Sequence, residues 1–470
     1  MATYILFTGS RYTFDTTYLA QFYGSQSATL FEIIGDNGVL RTAYHGRNFT
    51  YASNGFFQSG TVTEAYGFTS DGRLAGQATG LNVDVATRNS LLSVGTSSYE
   101  YGQYELRGND TIRGSEEDDR LVGSHGRDRI DGRGGSDILT FDGFDEGVLV
   151  NLATGRYRTS DGTSIVTGVE DVEGSDFADT LIGDGGRNQF QGFGGNDAIN
   201  GGAGIDTAVY FDAAAAVIVN LASRAVTGGS GSDTLSSIER VLGSRFDDML
   251  TGSNANEFFL GGFGDDTIDG GGGVDTVEYG FVGSGVTVNL ATGKASGGAG
   301  NDLITAVENV IGSLFNDRLT GSSRANRLDG RDGADILDGG AGGDLLIGGE
   351  GNDRLNGGLG NDRLMGGAGA DSFLFTTLLS GNGDRILDFS APQDTIRLDN
   401  AIFEALPVGA LAPGAFRIGA GAADAGDRII YDSATGILLY DADGTGPTAA
   451  IRFATLSTGL ALENRDFVII

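Results

Sequence analysis

Between residues 330 and 374 the chain reads GRDGADILD, GGAGGDLLI, GGEGNDRLN, GGLGNDRLM and GGAGADSFL, five units of nine residues without a gap. The sixth position of each is an aspartate, Asp335, Asp344, Asp353, Asp362 or Asp371. The eighth is a large apolar residue, Leu337, Leu346, Leu355, Leu364 or Phe373. Glycines in the turn permit positive φ and leave backbone carbonyls bare. The carbonyls of Gly333, Gly342, Gly351, Gly360 and Gly369 and the aspartate carboxylates can therefore be aimed at one hard cation. The last three residues of each unit make a short strand with one inward side chain. A single unit cannot bury it, so the period predicts stacked coils around a continuous core.

The same phase appears in three earlier arrays. From Glu105 to Thr140 the sixth positions are Asp110, Asp119, Asp128 and Asp137. From Gly174 to Val209 they are Asp179, Asn188, Asp197 and Asp206, and from Gly243 to Val277 they are Asp248, Glu257, Asp266 and Asp275. A fourth array opens at Gly312 with Asp317 and Asn326 and runs into the five units above. The exceptions Asn188, Glu257 and Asn326 all fall in the second unit of their arrays. Asn lacks the charge and Glu is one methylene too long for a tight turn, so these turns are expected to bind a cation weakly or not at all.

Between the arrays lie inserts that are copies of one another, VLVNLATG at Val148, VIVNLASR at Val217 and VTVNLATG at Val286. Asn151, Asn220 and Asn289 are 69 residues apart, as are Gly174, Gly243 and Gly312, so the duplicated block is one insert plus one array. Apolar alternation in the inserts, residues 141–173, 210–242 and 279–311, predicts strands added to the stack, with spacing as their role.

These units closely resemble the calcium-binding nonapeptide repeat of the RTX (repeats-in-toxin) family, G-G-x-G-x-D followed two places on by an apolar residue. The resemblance implies an all-β chain, a calcium-bound parallel β-roll over residues 105–374, with several Ca2+ ions as its cofactors. The inserts are similar to those interrupting RTX arrays in secreted proteobacterial proteins. The segment from Phe373 to Phe403 resembles the region that caps the arrays of serralysin-type proteins, so residues 375–470 are expected to form a C-terminal β cap. The chain ends in Asp466-Phe467-Val468-Ile469-Ile470, similar to the uncleaved signal read by type I secretion systems. That machinery is the implied partner, and a secreted, extracellular or surface-associated protein is the implied location. Asp441-Ala442-Asp443-Gly444 echoes the start of an EF-hand loop but lacks its third acidic position and closing Glu, and is read as a hairpin.

Residues 1–104 lack the nine-residue period. Asn37-Gly38, Asn54-Gly55 and Asp71-Gly72 recur at intervals of 17 residues between alternating stretches such as Thr61 to Phe68 and Leu81 to Val85. Such spacing predicts a small antiparallel β-meander. Its aromatic residues Tyr51, Phe56, Phe57, Tyr66 and Phe68 are expected to form mainly core.

Composition narrows the function. The formal charge is −33 and glycines number 82, against four prolines and neither cysteine nor tryptophan. Such acidity makes nucleic acid an unsuitable partner and cations the natural counter-charge. Without cysteine there is no disulfide, thiolate metal site or Cys nucleophile. Neither an N-terminal signal peptide nor a run of transmembrane length is visible. Only His45 and His125 are present, so an H-E-x-x-H zinc site cannot be built. No G-x-S-x-G elbow occurs, Lys294 is the one lysine and has no phosphate-loop context, and Arg354 stands where a dinucleotide fingerprint needs glycine. The expectation is a non-enzymatic surface, matrix or adhesion protein, with a cell-surface glycan or self-association as candidate partners. Two alternatives stay open: a carbohydrate-active or sugar-binding head at residues 1–104, and a membrane-acting RTX protein.

Overall fold

The structure is a computed structural model. It describes residues 109, 111–114, 116–379 and 383–470, and the backbone of four strands within residues 29–84. The chain divides into two compact units, Met1–Tyr210 with Gly229–Ile238, and Phe211–Gly228 with Glu239–Ile470. Short parallel strands dominate both. Among the described residues no helix is long and apolar enough to cross a membrane.

The coil is set by two nonapeptides, not one. In the second unit Arg327–Asp332 pairs in parallel with Leu345–Glu350, which pairs with Arg363–Ala368, residue 327 opposite 345 and 345 opposite 363. The alternate nonapeptides form their own ladder: Arg318–Ser322, Ile336–Gly342, Arg354–Asn356 and Ser372–Phe375. Residues 18 apart are therefore neighbours, and residues nine apart lie on opposite sides of the coil. Between the two ladders sit the eighth-position side chains. Leu319, Leu328, Leu337, Leu346, Leu355, Leu364 and Phe373 are all fully buried, each worth about 1.5–3 kcal/mol in removed apolar surface.

The first unit repeats this construction. Thr111–Arg113, Arg129–Asp131 and Gly162–Thr167 run parallel in one ladder, as do Thr180–Ile182, Ala198–Asn200 and Gly231–Ser236. Arg120–Val122, Ile138–Thr140, Asp171–Glu173 and Gln189–Gln191 build the other. The inserts do add strands. Leu149–Asn151 lies parallel to Thr180–Ile182 and antiparallel to Arg156–Thr159, and Val286–Asn289 lies parallel to Arg318–Ser322 and antiparallel to Lys294–Gly297.

Four N-terminal strands, β1 (Thr29–Ile34), β2 (Leu40–Tyr51), β3 (Phe57–Phe68) and β4 (Leu74–Asp84), pair antiparallel in sequence order. β4 also pairs antiparallel with Thr111–Arg113, the first array strand. The Asn-Gly and Asp-Gly turns expected between these strands lie outside the described residues. At the other end Ser372–Phe375 continues in parallel into Thr395–Leu398, and that strand into the terminal Phe467–Ile469. Phe467 and Ile469 are buried there. Asp441 accepts the amides of Asp443 and Gly444 through Oδ1, and Gly444 is left-handed, so the 441–444 stretch is a turn closed on itself.

Candidate metal centre

The sixth-position aspartates form columns along the coils, joined by one repeated hydrogen bond. In most coils the sixth residue donates its backbone N–H to Oδ1 of the aspartate one coil later, whereas Asp128 donates to Ser164 Oγ. In the fourth array Asp317 donates to Asp335 at 2.7 Å, Asp335 to Asp353 at 2.8 Å and Asp353 to Asp371 at 2.9 Å. On the opposite side Asn326 donates to Asp344 and Asp344 to Asp362, both at 2.8 Å. The earlier arrays keep the rule: Asp119 to Asp137, Asp179 to Asp197, Asn188 to Asp206, Asp248 to Asp266 and Glu257 to Asp275. Asp110 lies outside the described residues.

That bond occupies one oxygen and leaves the other. Oδ2 of Asp137, Asp197, Asp266, Asp275, Asp335, Asp344, Asp353, Asp362 and Asp371 is buried without a hydrogen-bond partner, in side chains no more than 1% exposed. A buried carboxylate oxygen with nothing to satisfy it is costly unless a cation or proton meets it. Burial, the largest cause, pushes these groups up against the backbone hydrogen bonds they accept: Asp335 and Asp344 to about 7, Asp353 to about 6, and Asp197 and Asp266 to about 8. Carboxylates on neighbouring coils push the same way.

The space beside each orphan oxygen fits a cation. A Cβ added at Gly330 would lie 2.2 Å from Asp335 Oδ2 and 2.7 Å from Gly348 O, and one at Gly348 would lie 2.2 Å from Asp353 Oδ2 and 2.5 Å from Gly366 O. Carboxylate and carbonyl oxygens from successive coils thus converge on a cradle that glycine leaves bare. The fourth-position glycines Gly333, Gly342, Gly351, Gly360 and Gly369 hold φ from 131° to 140°. Gly333 O would come within 1.5 Å of a Cβ at Gly351, and Gly342 O within 1.4 Å of one at Gly360, so side chains are excluded and carbonyls face the next turn. This is an all-oxygen donor set suited to calcium. Among the described residues no three His, Cys, Asp or Glu side chains converge as a metal group, so carbonyls must supply much of any coordination shell.

Not every aspartate is open. Asp179 Oδ2 accepts the amide of Ser175 at 2.6 Å, Asp317 Oδ2 that of Ser313 at 2.6 Å, and Asp248 Oδ2 that of Ser244. The same serines reach Oδ1 through their hydroxyls. Asp128 Oδ2 is taken by Ser124 Oγ and Tyr157 OH, at 2.8 and 2.5 Å. The two asparagines close entirely on protein groups. Asn188 accepts the Asp184 amide and donates to Glu170 O, and Asn326 accepts the Ser322 amide and donates to Glu308 O. Glu257 differs from them, because its Oε2 is buried without a partner while Oε1 accepts the Ser253 hydroxyl. A Cβ at Gly252 would lie 2.9 Å from that Oε2, so the longer side chain delivers its oxygen beside the opening glycine as an aspartate does.

Several column residues escaped the sequence reading. Asp197 donates to Asp233 Oδ1 and Asp266 to Asp302 Oδ1, each at 3.1 Å. Both acceptors belong to inserts read as spacers. Their signal was present: GGSGSDTLS at 228–236 and GGAGNDLIT at 297–305 are full nonapeptides, each starting 27 residues, three units, after Gly201 and Gly270. Glu170 and Glu308 accept from Asp137 and Asp275, and in the cap Asp384 and Asp394 accept from Asp362 and Asp371. For these only an acidic residue near an apolar one marks the place, too common to single out.

The family described as "RTX calcium-binding nonapeptide repeat (4 copies)" matches residues 106–139, 173–208, 239–281, 311–346 and 338–373. Among solved structures, the AlgE6R3 subunit of the Azotobacter vinelandii mannuronan C5-epimerase is 28% identical, over 33% of this chain and 78% of that one, with a TM-score of 0.19. The comparison with curated proteins gave no match. The matched residues carry the columns and glycine cradles described above, and the chain is an RTX calcium-binding repeat protein.

Proposed function

We propose that this is a secreted protein whose arrays fold on binding calcium outside the cell, serving as a non-enzymatic surface, matrix or adhesion component. The observation that carries calcium-coupled folding is the row of buried Oδ2 atoms without partners, Asp335 to Asp371 on both sides of the coil. Without a cation, folding brings unsatisfied and mutually repelling carboxylates together. With one, binding energy is available only to the folded chain, so binding and folding become one event. Asp335, Asp344, Asp353, Asp362 and Asp371, with turn carbonyls from adjacent coils, would hold the ions.

Extracellular calcium modules bind at roughly 10⁻⁴–10⁻³ M, which would leave the chain unfolded in a calcium-poor cytoplasm and ready for export. The burial of Phe467 and Ile469 in the cap supports this order of events, since a terminal signal would be readable only before folding. Calorimetric titration of the full chain with calcium tests the binding, and uptake of several ions is expected. A chain that takes up none contradicts the proposal. Export is tested by removing about the last sixty residues, a length chosen to take away the terminal strand and its supporting hairpins. The non-enzymatic part is tested on casein and nitrophenyl esters, where no turnover is expected.

A further inference from the structure

Apart from the turns of Asp128, Asp233 and Asp302, whose Oδ2 atoms are met by side-chain hydroxyls, the columns contain two kinds of turn, and one residue separates them. In the open turns of the fourth array the second residue is left-handed: Arg331 at φ 72°, Gly340 at 90°, Gly349 at 115°, Gly358 at 91° and Gly367 at 96°. Each is followed four residues later by an aspartate whose Oδ2 has no partner. In the closed turns the second residue is Ser175, Ser244 or Ser313, none of them with positive φ. Its amide points into the turn and donates to that same Oδ2. The asparagine turns follow the closed pattern through Asp184 and Ser322.

Two further non-glycine residues obey the rule. Arg133 and Phe193 sit at φ 78° and 62°, and Asp137 and Asp197 are open. A left-handed arginine or phenylalanine is disfavoured by contact of its Cβ with the backbone, so these turns hold the conformation against local preference. Glu257 is a separate case, since Ser253 is not left-handed and an additional methylene carries Oε2 past it.

We infer that in these two kinds of turn the second residue of the nonapeptide decides whether the turn takes a cation. When it is left-handed, its N–H turns away and the carboxylate oxygen is free for calcium. When it is a serine of ordinary φ, its N–H occupies that oxygen and the turn closes without metal. The serine units at Asp179, Asp248 and Asp317 are then the metal-free starts of the second, third and fourth arrays, where Oδ1 accepts the insert amides of Val148, Val217 and Val286. The inference rests on the calcium-binding reading above and adds which turns are filled.

The test is the full chain with Ser175, Ser244 and Ser313 all changed to glycine, beside the triple change to alanine. Both remove the hydroxyl, but glycine alone adopts the left-handed conformation freely. Bound calcium per chain is measured by equilibrium dialysis with elemental analysis, and circular dichroism confirms that each variant folds. The glycine variant is expected to gain calcium over wild type, at most one ion per reopened turn, and the alanine variant to gain none. As a converse, Gly349→Ser is expected to lose an ion. Equal calcium in wild type, glycine and alanine chains that all fold overturns the inference and leaves calcium binding standing, whereas a wild type that binds no calcium overturns both.

Discussion

Across one coil of the roll Asp335 donates its amide to Asp353 Oδ1 at 2.8 Å, while Asp353 Oδ2 finds no partner in the protein. One oxygen of Asp353 thus holds the stack together, and the other is the one we propose meets calcium.

Removing that side chain takes away both roles at once. In Asp353→Ala the Asp335 amide loses its acceptor, which costs about 1–3 kcal/mol for a buried donor, and one carboxylate leaves the calcium cradle. Stability and bound calcium should both fall. Asn188→Ala also breaks hydrogen bonds, to Asp184 and Glu170, but it should leave the amount of bound calcium unchanged. Dialysis of the two variants against calcium makes the comparison.

Acidity should partly replace calcium. Asp353, Asp335 and Asp344 are raised from 3.8 to about 6, 7 and 7, and Asp197 and Asp266 to about 8. Each binds its proton more tightly in the metal-free folded state than when unfolded. Their contribution to stability is therefore full below about pH 4 and is lost as pH rises through 6 to 8. Circular dichroism in excess chelator should show more β structure at pH 4.5 than at pH 8, and the reverse order would contradict this account.

Gly351→Ala should be among the most damaging single changes in the array. Its φ of 140° is foreign to alanine, and the new Cβ would meet Gly333 O at 1.5 Å. A loss on the order of 4 kcal/mol is expected, the size reserved for disrupted backbone or core. Thermal melts in saturating calcium measure it.

Leu346→Ala tests the core independently of the metal. Leu346 is fully buried between the ladders, so the change should cost about 2–5 kcal/mol. More calcium should then be required to reach the folded state, with no ion lost at saturation.

The roll was legible in the sequence because period nine fixes two things at once, the buried leucine and the acidic turn. Leu346 and Asp353 both follow from it, whereas the insert strands near Asn289 follow from apolar alternation. The 18-residue coil was not legible, since nothing in a nine-residue period says that Asp335 faces Asp353 in place of Asp344. Asp233 and Asp302 were readable but hidden within blocks recognised by another motif, the VNL strand. The closure of Asp248 by Ser244 was out of reach, because it depends on the φ of one residue. Glu257 ran against the expectation that its turn resembles those of Asn188 and Asn326. A flexible extra methylene put its oxygen where chain length alone argued it would not go.

The most direct measurement is circular dichroism of the full chain, first in excess chelator at pH 8 and then through a calcium titration. The account predicts arrays without β structure at the start and a cooperative gain of β signal as calcium is added. Magnesium should substitute poorly, since it demands a tight octahedral shell. The same β signal in chelator as in calcium would contradict it.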